Sequence, residues 1–217
     1  MNDILGFSDL LGQTEDPNDR RKFVAFIKMS GHRLLDVIDN LIEISKLQSN
    51  YMLKVACPVQ LNLLLDNLKS KYEAVIAKSG KPIVIESSYG LETPNDTIWR
   101  SDEIITKAMD NILNNACRYT QSGKILMSYT FNHREATFCV TDTGQGIKPG
   151  TENSIFNMFN MEFESIENGA DYESCKTQGI GLAVAKEYIM LAGGKIWVDT
   201  SYKDGACFYF TIPADKL

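Results

Sequence analysis

The chain has 217 residues, 44% apolar and 23% charged, which suits one large domain or two small ones with an ordinary core. A formal net charge of −6 argues against a nucleic-acid binder held by phosphate contacts, and no apolar run approaches the ~20 residues of a membrane span. The five cysteines (Cys57, Cys117, Cys139, Cys175 and Cys207) are odd in number, widely spaced and free of any CxxC, which speaks against a disulfide framework or zinc site and for a reducing compartment.

The opening stretch MNDILGFSDLL has no basic start and no signal-peptide shape. Ile4, Leu5, Phe7, Leu10 and Leu11 predict the end of one helix, and GQTEDPND then supplies turn and helix-start signals. Residues 21–48 predict a long helix. Phe23, Ile27, Ser30, Leu34, Val37, Leu41 and Ile44 alternate in steps of four and three, and Ile38 and Ile42 widen this stripe. Two such helices cannot cover their own apolar faces. The simplest source of two more is a second copy of the chain, so residues 1–48 are expected to form a homodimeric four-helix bundle.

Residues 59–78 predict a helix, KPIVIES a strand and residues 102–119 a second helix. KILMSYTF and EATFCVTD predict a hairpin around NHR. Residues 181–192 predict a helix, and GKIWVDTS with CFYFTIP a closing hairpin. The fold class expected is α+β, with helices on one face of a largely antiparallel sheet. Residues 148–178 are polar and weakly periodic, as a functional lid would be.

The helix over 102–119 carries three asparagines, residues that compete for backbone groups and are poor helix formers. On a 100° wheel, Ile105, Met109, Ile112 and Ala116 form the core face. Asn111, Asn115 and Arg118 line its edge, while Asp110 and Asn114 point further towards solvent. The stripe admits two readings: ordinary edge residues, or amide oxygens for Mg²⁺ beside a guanidinium for phosphate. DTGQGI (142–147) follows a strand and can present one carboxylate where glycines let the backbone turn closely around a flat ligand. QGIGLAVAK (178–186) places two glycines at a helix start, where free N–H groups form an anion site.

Together these motifs resemble the ATP-binding core of sensor histidine kinases, a domain of the same broad fold as the gyrase, Hsp90 and MutL ATPases. DNILNNACRYT looks like the N box, DTGQGI and GIGL like the two glycine boxes, SIFNMF like the F box, and GHRLLDVIDNLIEISKLQSN like the second dimerisation helix. The resemblance implies a helical dimerisation domain over 1–50, truncated just after the phosphoacceptor histidine, and an ATP-binding catalytic domain over 55–217. It implies Asn115 as Mg²⁺ ligand, supported by Asn111, with Arg118 on phosphate in place of the family's usual lysine. Tyr119 and Ile147 would pack near the nucleotide, and Asp142 would accept from the adenine amino group. Gly144 and Gly146 would let the root of the lid turn. Gly179, Ile180, Gly181 and Leu182 would cradle phosphates, and Phe156 and Phe159 would anchor the lid.

Besides Arg118, two positions depart from the family pattern within the chain: Thr177 replaces a glycine of the second glycine box, and Cys207 stands where many relatives have threonine. The acceptor histidine is expected about seven residues before Asn2. His32 and His133 do not occupy its position. The implied activity is transfer of the ATP γ-phosphoryl to that histidine, then relay to a response-regulator receiver domain. The resemblance implies a cytoplasmic location for these residues, with no direct membrane contact by them, and leaves open a membrane anchor elsewhere in a longer parent protein. Two other functions stay open: a non-catalytic nucleotide-binding dimer and an ATP-hydrolysing clamp. The clamp is disfavoured because Asn111 stands where gyrase-like relatives carry a glutamate to activate water.

Overall fold

A computed structural model describes residues 2–48, 57–91, 96–132, 134–157 and 181–213. The first two helices, α1 (Asn2–Gln13) and α2 (Pro17–Gln48), form a hairpin. Phe7 on α1 stacks on Phe26, with ring centroids 4.6 Å apart, and on Phe23 at 6.0 Å. Arg20 closes the corner by donating from Nη1 to the carbonyls of Leu11 and Thr14 at the end of α1. Such a cation satisfies orphan carbonyls and opposes the negative end of the helix dipole. On α2, Leu34, Leu35, Ile38 and Ile42 stay exposed.

The remaining elements are β1 (Cys57–Gln60), α3 (Leu61–Ser79), β2 (Ile83–Ser88), β3 (Thr97–Arg100), α4 (Asp102–Tyr119), β4 (Gly123–Asn132), β5 (Glu135–Asp142), α5 (Gly181–Leu191), β6 (Ile196–Val198) and β7 (Cys207–Pro213). A five-stranded sheet has the order β2-β4-β5-β7-β6. Its pairings are antiparallel except β2 with β4, which run parallel. The α+β class and the largely antiparallel sheet stand as the sequence predicts. Two short strands were not predicted: β1 and β3 pair antiparallel beside the main sheet. The helix expected from residue 59 therefore starts at Leu61, because Val59 and Gln60 belong to β1.

Alternation along β4, β5 and β7 sends one set of side chains under the helices. Ile125, Met127 and Tyr129 meet Phe138, Val140, Phe208 and Phe210 there, and Phe138 stacks on Phe210 at 4.7 Å. Above them lie Leu61, Leu65, Leu68, Tyr72 and Ile76 of α3, the core face of α4, and Val184 and Tyr188 of α5. Each fully buried aliphatic or aromatic side chain contributes about 1.5–3 kcal/mol, so this interface sets the position of α4.

Helix ends are fixed from a distance. Gln60 provides no side-chain cap for α3. Instead buried Asp96 accepts the Leu61 N–H on its carbonyl and the Asn62 N–H on Oδ2. At the C-terminal end of α4, Lys81 Nζ donates to the carbonyls of Cys117, Arg118 and Thr120 at 2.8–3.0 Å. Burial pulls the Lys81 pKa below the ordinary lysine value.

Candidate functional site

The core face of α4 is as the wheel predicts: Ile105, Met109, Ile112 and Ala116 are buried. Asn111, Asn115 and Arg118 are half-buried along its edge, and Asn114 is exposed. One expectation fails. Asp110 does not point to solvent; it is half-buried against α3, where Lys71 Nζ reaches its two oxygens at 2.7 and 2.8 Å. The wheel gives an angle about one helix axis but not the neighbouring helix that fills that angle. The Tyr72 hydroxyl lies 3.0 Å from the Asp110 carbonyl and 3.1 Å from both Asp110 Oδ1 and Asn114 Oδ1. Burial, then the Asp110 carboxylate, holds this phenol far above its ordinary pKa, so it stays a donor.

The other flank of α4 faces the start of α5. Asn111 Nδ2 donates to the Lys107 carbonyl at 2.9 Å, which orients the amide. Its Oδ1 then lies where a side chain on Gly181 would begin, 3.0 Å from an ideal Cβ. Gly181, the first residue of α5, thus sits directly against Asn111. Leu182 follows it and packs on the core, and Asn115 lies one helical turn further along α4. The Arg118 guanidinium lies over the Tyr119 ring, 5.3 Å from its centroid. Gly179, Ile180, Thr177 and Phe159 lie outside the described residues.

Asp142 ends β5 and is 3% exposed. Its Oδ1 accepts the N–H groups of Gly144 at 2.8 Å and Ala206 at 3.4 Å. Oδ2 takes neither bond. Burial raises the Asp142 pKa above the ordinary carboxylate value, and the two amides partly offset that. The Asp142 N–H donates to the Ala206 carbonyl at 2.9 Å, so both faces of the residue are tied to the turn before β7.

The two glycines of DTGQGI act differently. At Gly144 a Cβ would strike the Tyr119 carbonyl at 2.6 Å and Asp142 Oδ1 at 2.8 Å, so glycine permits the close approach of β5 to the end of α4. Gly146 has φ of 74° and supplies the turn itself. Ile147 packs partly buried against the core. Phe156, in a short 3-10 turn over Ser154–Phe156, is buried with its ring edge-on to Phe208 at 6.3 Å.

Asn111, Asn115, Arg118, Tyr119, Asp142, Gly144, Gly181 and Leu182 thus come from α4, the end of β5 and the start of α5 into one neighbourhood. Sequence reasoning missed Lys81, Ala206 and Gly205, which hold that neighbourhood from behind. A Cβ on Gly205 would collide with the Asp142 carbonyl. No local pattern signals such contacts, which join residues 36–64 positions apart. A separate groove of about 330 Å³ runs between β1, α3 and the start of α4, lined by Pro58, Leu63 and Lys71 among others; it contains none of these site residues. Among the described residues, no helix is long and apolar enough to cross a membrane.

Residues 101–216 match the family described as histidine kinase-, DNA gyrase B-, and HSP90-like ATPase. The chain is 28% identical to hybrid signal transduction histidine kinase B of Dictyostelium discoideum, over 98% of this chain and 11% of that protein. It is 26% identical to autoinducer 2 sensor kinase/phosphatase LuxQ of Vibrio vulnificus, over 100% of this chain and 25% of that protein. The chain thus spans about a quarter or less of the length of these curated relatives. Among solved structures it resembles full-length ShkA in complex with AMPPNP, with TM-score 0.68, 23% identity, and 100% of this chain against 43% of that one. It also resembles histidine kinase ThkA in complex with response regulator protein TrrA, with TM-score 0.68, 21% identity, and 97% of this chain against 56% of that one.

Proposed function

Because the chain belongs to the histidine kinase-, DNA gyrase B- and HSP90-like ATPase family, we propose that it is the catalytic core of a sensor histidine kinase, the domain that binds Mg²⁺–ATP and donates the γ-phosphoryl to a histidine. The observation that carries this reading is the convergence of three motifs distant in sequence: Asn111 Oδ1 against Gly181, and Gly144 against both Tyr119 and Asp142. An ordinary edge stripe gives no reason for a helix start to abut an asparagine amide.

In this reading Asp142 Oδ2 accepts from the adenine amino group while Oδ1 stays held by Gly144 and Ala206. A carboxylate there favours an amino group over a carbonyl and so adenine over guanine. Half-buried amide oxygens fit a hard divalent cation that keeps several waters, so Asn115 would hold Mg²⁺ and Asn111 would support it. When bound, Mg²⁺ neutralises phosphate charge and fixes the phosphates for in-line transfer. Gly181 and Leu182 donate backbone N–H groups to phosphate at the helix start, together with Gly179 and Ile180. Arg118, already positioned by the Tyr119 ring, adds a cation. Ile147 and Tyr119 border the base, and Phe156 and Phe159 anchor the lid over 148–178.

Asn111 is no general base, so water is poorly activated and hydrolysis is slow. The acceptor is a histidine upstream of Asn2. Its imidazole nitrogen attacks the γ-phosphorus as the bond to ADP breaks, giving a phosphoramidate for a response-regulator aspartate. The exposed Leu34, Leu35, Ile38 and Ile42 support a homodimer through residues 1–48, with a domain boundary in 51–54. The test is incubation with γ-labelled ATP of this chain, of the chain extended upstream through the expected histidine, and of the extended chain with Asn115→Ala. Acid-labile label is expected only on the second. Label on the chain alone would place the acceptor elsewhere, and no label on any would refute phosphoryl donation.

A further inference from the structure

The face of the sheet turned away from the helices carries a pair of thiols that the nucleotide chemistry leaves unused. Cys139 lies on β5 opposite Tyr209, and Cys207 begins β7 opposite Thr141. The two cysteines are therefore diagonal neighbours on one face, and their sulfur atoms are 3.7 Å apart. Around them Trp197 stacks on Tyr209, with ring centroids 5.5 Å apart. Cys139 is half-buried and Cys207 is buried.

We propose that Cys139 and Cys207 are a redox pair that a hydroperoxide converts to a disulfide, and that this bond shifts the nucleotide affinity of the neighbouring Asp142 site. The Cys139 thiolate attacks one peroxide oxygen; the S–O bond forms, the O–O bond breaks, and an alcohol leaves with the proton. The sulfur of Cys207 then attacks that of Cys139. The S–S bond forms, the S–O bond breaks, and hydroxide leaves as water with the Cys207 proton. Two thiols lose two hydrogens in all, and the hydroperoxide is reduced to alcohol and water. The sulfur gap must shrink from 3.7 Å to about 2 Å, and this requires the two strands to draw together locally, because diagonal neighbours lie about 7–8 Å apart and a disulfide holds its Cα atoms within about 7 Å.

The electrostatics favour Cys139 as the attacking sulfur. Hydrogen bonding with the Cys207 thiol, in which Cys207 donates once Cys139 is ionised, lowers the Cys139 pKa below the usual thiol value against the effect of burial, and hydroxyls of Tyr209 and Ser128 add support. Cys207 is shifted the opposite way, first by that same hydrogen bond. The pair thus releases one proton readily and keeps the other. Cys117 makes a useful contrast: burial pushes its pKa up to about 11, and it sits on helix α4 rather than on either strand of the pair, so it is a poor competitor.

The route to the nucleotide site is one peptide long. Cys207 follows Ala206, whose carbonyl and N–H both engage Asp142. The Cys207 carbonyl also accepts the Asp199 N–H at 2.9 Å. Drawing Cys207 towards Cys139 displaces this short rung. This second half of the proposal rests on the nucleotide-binding reading of Asp142.

The experiment treats the reduced full chain with hydrogen peroxide, blocks remaining thiols by alkylation, and maps cross-linked peptides by mass spectrometry. A 139–207 link is expected, reversible by a dithiol and absent in Cys139→Ser and Cys207→Ser. Both cysteines alkylating freely after oxidation, or either linking instead to Cys57, Cys117 or Cys175, would overturn the pair. Calorimetry with ADP then compares reduced, oxidised and Cys139→Ser proteins. A change of about fivefold or more on oxidation of wild type alone is expected, as for an ordinary coupling between sites. Equal affinity in linked and reduced protein would overturn the coupling. Failure of the reduced protein to bind ADP would instead refute the nucleotide reading, while peptide mapping still decides the thiol pair.

Discussion

Towards α3, helix α4 presents Asp110 and Asn114 to a tyrosine hydroxyl and a lysine ammonium; towards α5 and β5 it presents Asn111, Asn115 and Arg118 beside a helix start and the Asp142 carboxyl. The residue types are nearly the same. On the first flank, acceptor and donor meet across two packed helices, and the contacts are made within the domain. On the second, the support comes from behind. Lys107 orients Asn111, and Gly144 and Ala206 hold Oδ1 of Asp142, while Oδ2 takes neither bond. Polar residues on a helix edge are thus told apart by what sits behind them.

The most damaging way to break the comparison is Tyr72→Ala. It removes a fully buried aromatic and its hydrogen bonds to Asp110 and Asn114, so unfolding in urea should show a loss of about 3–5 kcal/mol. A loss below about 1 kcal/mol would mean that this flank adds no cohesion. Asn115→Ala should do the reverse. Stability should change by no more than about 0.5 kcal/mol, while calorimetry should show ADP affinity in Mg²⁺ falling about tenfold and affinity in chelator unchanged, as loss of one metal ligand requires.

How far such contrasts are legible in sequence varies along the chain. The core face of α4 follows from its 3.6-residue period, and the long strands β4, β5 and β7 from alternation and β-branched or aromatic content. β1 and β3 escape notice because each has four residues, too few to show a period, and their pairing of Cys57 with Arg100 spans the whole of α3. Asn111, Asp142 and Gly181 were legible as motifs. Their juxtaposition was not, nor was the inward position of Asp110, since both depend on how helices pack. Gly144 and Gly146 were read as one device and prove to be two, because a sequence does not distinguish a close approach from a turn.

Asp142→Asn gives the finest test. ADP affinity should drop about tenfold as a charge-assisted bond is lost, and preference for adenine over guanine should blur. The pH dependence has a definite sign. The folded carboxyl has a raised pKa, so its contribution to stability is fully present below the unfolded carboxylate pKa and is lost as pH rises through the folded value. Binding needs the ionised form, so affinity should climb across that same window and then level off. Asp142→Asn should abolish both slopes. A slope surviving in the variant would assign the titration to another group.

The grip of Lys81 on three carbonyls at the end of α4 has a consequence for association. Tyr119 lies among these residues, and its own carbonyl receives the Gln145 N–H and packs on Gly144. These contacts tie the end of the asparagine helix to the turn that follows Asp142. On the proposed nucleotide reading, a ligand spanning both would meet groups already held in place, so little conformational entropy would be lost on that side. Loosening this tie with Lys81→Met should thus reveal itself in dissociation, as a complex that forms at nearly the same rate and falls apart sooner.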